Sequence, residues 1–193
     1  MKKVLLLLAD GFEAYEASVF TDVLGWNQLE GDGSTAVTSV GLHPTLQATW
    51  NFQVTPEKLV EEIDLTEFDA LAIPGGFEEA NFYVDAFSKT FQEIIQHFNA
   101  HQKPIAAICV ASLALAHSGI LHNRQATTYN FPTSKRLAQL ATYGVQVSKD
   151  RIVVNENIIT SSNPGTAIEV AFILLEMLTS KSNAARIKER MGY

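Results

Sequence analysis

The stretch Pro104-Ile105-Ala106-Ala107-Ile108-Cys109-Val110-Ala111-Ser112-Leu113-Ala114-Leu115-Ala116-His117 joins two different patterns at one residue. Its first half is a short apolar run of the kind that fills a buried parallel strand. Its second half is built from small, helix-prone residues. Between them stands Cys109, the single cysteine of the chain. A strand that turns at once into a helix, with a reactive side chain at the bend, is a nucleophile elbow. At such a bend the unpaired N–H groups and positive end of the helix favour thiolate over thiol. A lone cysteine read by itself is more often a small buried hydrophobe, so the rest of the sequence has to decide between the two.

Working outward, similar apolar runs recur at Lys3–Ala9, Ala36–Val40, Ala70–Ile73 and Ile105–Ile108, then at Val145–Val147, Ile152–Asn155 and Ile158–Thr160. Asp10-Gly11 ends the first run and Pro74-Gly75-Gly76 the third. Helical spacing fills the intervals: Val19, Phe20, Val23 and Leu24 within Ala14–Leu29, and Phe87, Phe91, Ile94, Ile95 and Phe98 within Asp85–Ala100. Further helices are expected at Pro132–Tyr143, at Ile168–Thr179 behind an Asn163 cap with Pro164 at the first helical position, and at Lys181–Met191. Leu46–Thr55 reads as a short hairpin at the sheet edge. This alternation predicts an α/β fold with a mostly parallel central sheet between helical layers. No repeat, low-complexity stretch or linker interrupts it, so one domain over residues 1–193 is expected.

Composition narrows the function. The chain has 193 residues, 47% of them hydrophobic and 18% charged, with a net charge of -7. No basic tract offsets that charge, which argues against a nucleic-acid partner. One cysteine cannot form an internal disulfide, so a reducing compartment fits. Met1-Lys2-Lys3 before Val4–Leu8 imitates a secretion signal. The apolar run stops at Ala9-Asp10, too short for a membrane span and without a cleavage site after it. A cytoplasmic protein with no membrane partner is the expectation. No Cys/His cluster has metal-ligand spacing, and there is no Walker-type or G-x-G-x-x-G loop, so neither a metal nor a nucleotide or flavin cofactor is expected.

In open parallel sheets, ligands bind beyond the carboxyl ends of the strands. Three of those ends carry unusual chemistry here: Asp10–Glu16, Gly75-Gly76, and Cys109. Gly75 and Gly76 let backbone N–H groups approach a bound oxygen closely and, with the N–H of Val110, can form an oxyanion hole. Glu16, if buried beside Cys109, has its pKa raised and can donate a hydrogen bond to the thiolate. Glu13, one turn earlier, is the rival carboxylate. Taken singly, each feature also fits an ordinary turn or an exposed helix residue.

The segments LLLLADGFEAYEAS (Leu5–Ser18), LAIPGG (Leu71–Gly76), IAAICVAS (Ile105–Ser112) and ITSSNPGTAIE (Ile158–Glu169) together resemble the ThiJ/PfpI superfamily, in its order and spacing. The resemblance implies a flavodoxin-like three-layer sandwich, related to class I glutamine amidotransferase domains, and a homodimer. It implies Cys109 as the reactive residue, Glu16 as the acid touching it, and Gly76 and Val110 as backbone donors. The chemistry implied is of glyoxalase or deglycase type, on a small reactive carbonyl compound such as methylglyoxal or its adducts. The alternative is a non-enzymatic oxidative-stress sensor or chaperone in which Cys109 is oxidised to sulfinic acid.

Two departures from the family pattern matter. Some branches carry a histidine directly after the cysteine and others one twenty residues later; Val110 and Tyr129 stand at those positions here. Tyrosine, with a reference pKa of ~10, is a poor base near neutrality. His43, His97, His101, His117 and His122 fall in expected loops or on helix surfaces, so peptidase chemistry is not expected. Pocket arginines of close relatives fall by register on Trp26, Trp50 and Ser162, the last beside Asn163. That substitution pattern predicts a pocket that is less cationic and more aromatic, suited to a less anionic ligand, although the two tryptophans fit core or dimer-contact positions equally well.

Overall fold

Val4, Leu5, Leu6, Leu7 and Leu8 are each at most 2% exposed, because β1 (Lys2–Leu8) runs through the middle of a seven-stranded sheet. A strand covered on both faces has no polar side to show, which is why the run reads as unbroken leucine. The computed structural model describes all 193 residues. After β1 come α1 (Ala14–Glu30), β2 (Thr35–Gly41), β3 (Leu46–Ala48), β4 (Phe52–Val54), β5 (Lys58–Leu59) and β6 (Ala70–Ile73). They are followed by α2 (Phe82–Ala86), α3 (Lys89–Ala100), β7 (Ile105–Ala107), α4 (Ala111–His117), β8 (Gln125–Ala126) and α5 (Arg136–Ala141). The chain closes with β9 (Gln146–Val147), β10 (Ile152–Asn155), β11 (Ile158–Ser161), α6 (Ala167–Leu178) and α7 (Lys181–Arg190).

The sheet order is β10-β11-β7-β6-β1-β2-β5, parallel throughout except that β10 runs antiparallel to β11. Helices α1, α6 and α7 pack together on one side, and α2, α3, α4 and α5 on the other. This is the mostly parallel α/β arrangement expected from the alternating pattern, and the flavodoxin-like sandwich that the resemblance implies. From β1 the chain steps to β2 in one direction and later to β6 and β7 in the other. The crevice beyond the carboxyl ends of β1 and β6 is therefore a topological switch point, the usual place for a ligand in such sheets.

At that crevice two loops are joined. Phe12 and Gly76 form an antiparallel bridge, with the Glu13 N–H donating to the Gly75 carbonyl (2.8 Å) and the Phe77 N–H to the Gly11 carbonyl (3.3 Å). The approach needs glycine on both sides. Gly11 has φ +72°, and a Cβ on Gly76 would fall 2.2 Å from the Gly11 oxygen and 2.6 Å from the Phe82 ring.

Several elements differ from the sequence expectation. The single Asp85–Ala100 helix is two: α2 ends at Ala86, and Ser88 starts α3 by accepting the Phe91 N–H at 3.3 Å. Phe87, in the break, is half-buried rather than part of the α3 apolar face. The Pro132–Tyr143 helix is shortened to α5, because residues 132–135 form turns and Ser134 Oγ accepts the Arg136 N–H (3.2 Å). The hairpin β3–β4 stands apart as its own small sheet, and β5 takes the edge beside β2. Asn163 precedes Pro164 as expected, but it opens a short 3-10 turn without a side-chain cap, and α6 follows from Ala167.

Candidate active site

Cys109 has φ +55°, a left-handed conformation that a residue other than glycine adopts only at a cost of about 1–3 kcal/mol. It sits between β7 and α4, as the elbow pattern predicts. Its carbonyl is held by two hydroxyls, Ser112 Oγ at 2.9 Å and Thr128 Oγ1 at 3.1 Å, so the strained turn is fixed from both sides. The side chain is only 6% exposed.

Glu16, on the first turn of α1, is fully buried. Its Oε2 accepts the Gly75 N–H at 2.6 Å. Its Oε1 is buried with no nitrogen or oxygen partner, and the side chain's other neighbour is the Cys109 thiol. Burial pushes the Glu16 pKa up to about 8, with the nearby Glu13 charge adding to the shift; the Gly75 N–H and the thiol pull the other way. Burial also raises the Cys109 thiol well above its ordinary value, and the Glu16 charge raises it further, against the favourable Val110 N–H.

That outcome corrects the expectation of a thiolate held ready by the helix end. The helix is only seven residues long, and desolvation opposes the charge it would favour. The two groups are coupled, and burial biases both towards their neutral forms. When Glu16 carries the proton, its repulsion of the sulfur disappears and its carboxyl becomes a donor to it.

A cavity of about 540 Å³ opens over the sulfur, with Glu13, Gly76, Cys109, Val110 and Tyr129 in its wall. The Gly76 N–H donates to no protein acceptor. Gly75 does not reach the cavity: its N–H is taken by Glu16 and its carbonyl by Glu13, so it anchors the acid rather than supplying an oxyanion donor. Glu16 likewise lies behind the wall, whereas Glu13 is half-buried and faces the cavity, its pKa raised by that burial.

The three positions placed by register, and Asn163 beside the last of them, do not line the cavity. Trp26 is ten residues along α1 from Glu16, roughly 15 Å of helix, and borders a separate depression with Thr21 and Leu29. Trp50 is 79% exposed, with its edge against Phe77 at 5.3 Å; Phe77 is in the wall and Trp50 outside it. Ser162 is buried, its Oγ accepting from Asn163 Nδ2 at 3.0 Å, and neither side chain enters the cavity; the adjacent Pro164 does.

The wall is also more cationic than the register implied. Lys135 and Arg136 line it, with Phe131, Thr133 and Ser134 leading up to them. The basic pair was visible in the sequence, but the stretch read as the body of a helix rather than as a loop entering the site. No histidine lines the cavity. His43 pairs with buried Asp85 (3.0 Å), His117 stacks on Phe87 (4.4 Å between centroids), and His97 tilts against His101 (4.3 Å).

Comparison with known proteins agrees with the fold. The sequence profile described as the DJ-1/PfpI family matches residues 2–177. An Arabidopsis thaliana protein, DJ-1 homolog B, is 30% identical over 96% of this chain, which spans only 40% of that relative's length. Drosophila melanogaster DJ-1beta is 28% identical over 96% of this chain and 94% of its own. Its crystal structure superposes with a TM-score of 0.85, at 27% identity over 98% of this chain and 97% of that one. A Pyrococcus abyssi protein named a deglycase is 27% identical over 84% of this chain and 91% of its own.

Proposed function

The chain belongs to the DJ-1/PfpI family, and from that premise we propose that it performs glyoxalase or deglycase-type chemistry on methylglyoxal or its adducts, with Cys109 as nucleophile. The observation that carries this reading is the buried Glu16 carboxyl, one oxygen held by Gly75 and the acid in contact with the thiol at the floor of an open cavity.

The steps follow from what each group can do. The sulfur of Cys109 adds to the aldehyde carbon, and the carbonyl oxygen takes the proton released by the Cys109–Glu16 pair. The N–H groups of Gly76 and Val110 stabilise that oxygen while it carries charge. The hydrogen on the same carbon then leaves as a proton and returns to the neighbouring carbon, while the hydroxyl proton passes to the neighbouring oxygen, producing a hydroxyacyl thioester. Glu13, which faces the cavity, is the group placed for that transfer; Glu16 governs the thiol proton from behind. Water cleaves the thioester, releasing lactate and restoring the thiol. Oxidation of one carbon balances reduction of the next, so no external oxidant or cofactor is required.

We also propose a homodimer, on the strength of the family resemblance, in a cytoplasmic setting, which a single cysteine without a disulfide partner supports. The exposed aromatics Tyr15, Trp50 and Phe52 on α1 and the β3–β4 hairpin are the surface such a dimer would cover. The test of the chemistry is lactate formation from methylglyoxal by purified protein. Cys109→Ala is expected to abolish it; full lactate production by that variant refutes the nucleophile assignment.

One observation favours a second reading. Glu16 Oε1 is buried without a partner and is placed to donate to an oxygen attached to the sulfur, as in a sulfinic acid. Stepwise oxygen gain on Cys109 at low peroxide dose, seen by mass spectrometry in a protein that makes no lactate, selects a redox sensor instead.

A further inference from the structure

We propose that the Thr133–Arg136 wall of the Cys109 cavity is an anion subsite with Lys135 as its specificity-determining cation, so that the ligand is a carbonyl adduct bearing a carboxylate. The inference deepens the reading above and rests on it for the identity of the reacting group.

Size comes first. A three-carbon dicarbonyl would leave most of a cavity of about 540 Å³ to solvent, and cavities of ~300–1,000 Å³ ordinarily enclose ligands of drug size. The volume suits an aldehyde already attached to a larger body, such as an amino acid or a thiol. The charges on the wall then say what that body carries.

Arg136 is already engaged. Its guanidinium donates to Glu78 Oε2 (2.6 Å) and Gln139 Oε1 (2.9 Å), and it lies over the Tyr83 ring at 5.2 Å. It therefore neutralises Glu78, the lining carboxylate in contact with it. Lys135, next to it in the same wall, makes no salt bridge. The hydroxyl oxygen of Ser134 accepts the Arg136 N–H, leaving its own proton to donate, and Thr133 presents a second hydroxyl. Two hydroxyl donors beside an unpaired ammonium match a carboxylate. Of the two remaining lining carboxylates, Glu79 is exposed to solvent, and burial raises the pKa of Glu13.

The test measures alkylation of Cys109 by iodoacetate and by iodoacetamide, reagents of similar size that differ in charge. Any change in thiol pKa alters both rates alike and cancels in their ratio. Lys135→Met is expected to lower the iodoacetate rate ~3–10-fold relative to iodoacetamide at low salt. Lys135→Arg should keep the wild-type ratio, and high salt should bring wild type towards the methionine variant. A ratio unmoved by Lys135→Met overturns the subsite, as does an equal change with both reagents. This outcome is independent of turnover: a normal ratio shift in a protein whose Cys109→Ala variant still makes lactate would retain the subsite and sink only the nucleophile. In the active enzyme, Lys135→Met should raise KM for the methylglyoxal adduct of N-acetylarginine, a free carboxylate, and leave KM for the corresponding amide unchanged. An equal rise for both counts against the assignment.

Discussion

Glu16→Gln is expected to flatten the decline of folding stability between about pH 4.5 and pH 8. In the unfolded chain the carboxyl titrates near its ordinary value of 4.5; in the native protein burial moves it to about 8. Between those values the native state keeps a proton that the unfolded state has released, so stability falls as pH rises. The contribution is fully present below pH 4.5 and is lost by pH 8. At 1.36 kcal/mol per pKa unit it amounts to roughly 5 kcal/mol, a large share of a typical 5–15 kcal/mol total. Glutamine keeps the oxygen that accepts the Gly75 N–H but cannot ionise. Denaturant unfolding at pH 5 and pH 8 measures the effect: wild type should lose stability across the interval and the variant should lose far less. Equal losses in both proteins would mean that Glu16 is ionised at no cost in the folded state.

The same substitution should make Cys109 more reactive. After burial, the Glu16 charge is the strongest influence raising the thiol, ahead of the opposing Val110 N–H. Removing that charge lowers the thiol pKa, and the glutamine amide adds a donor towards the sulfur. A shift of about one unit corresponds to roughly a tenfold gain in thiolate at a pH below the inflection. Iodoacetamide rates recorded from pH 6 to pH 11 should show the inflection moving down in Glu16→Gln. Glu16→Leu loses the charge but supplies no donor, so its inflection should fall between the two. An unchanged profile in Glu16→Gln would uncouple the pair.

The fold was largely legible because its central strands are hidden on both faces. Leu5 to Leu8 and Ala70 to Ile73 leave no alternative to a covered strand, and the turn at Gly75-Gly76 follows directly. The breaks inside helices were harder. Ser88 splits the Asp85–Ala100 pattern without disturbing its apolar spacing, since a cap costs one residue and the next helix resumes on the same face. In the site, Cys109, Val110 and Gly76 were placed by strand-end logic that topology enforces. Trp26, Trp50 and Ser162 were placed by register alone, which fixes position along an element and says nothing about the direction of a side chain. Lys135 and Arg136 were hidden for a related reason: they stand at the junction of a turn and the start of α5, whose approach to the cavity depends on tertiary contacts. The depressed thiol expected at Cys109 failed on magnitude, because burial outweighs the short helix behind it.

The bridge between Phe12 and Gly76 has a consequence for how this protein ages and fails. It welds the acid-bearing segment to the amide-bearing one as an extension of the β-framework, leaving no hinge between them. Heating should then extinguish thiol reactivity and tertiary structure in a single event, with no earlier stage in which an intact scaffold carries a collapsed catalytic edge.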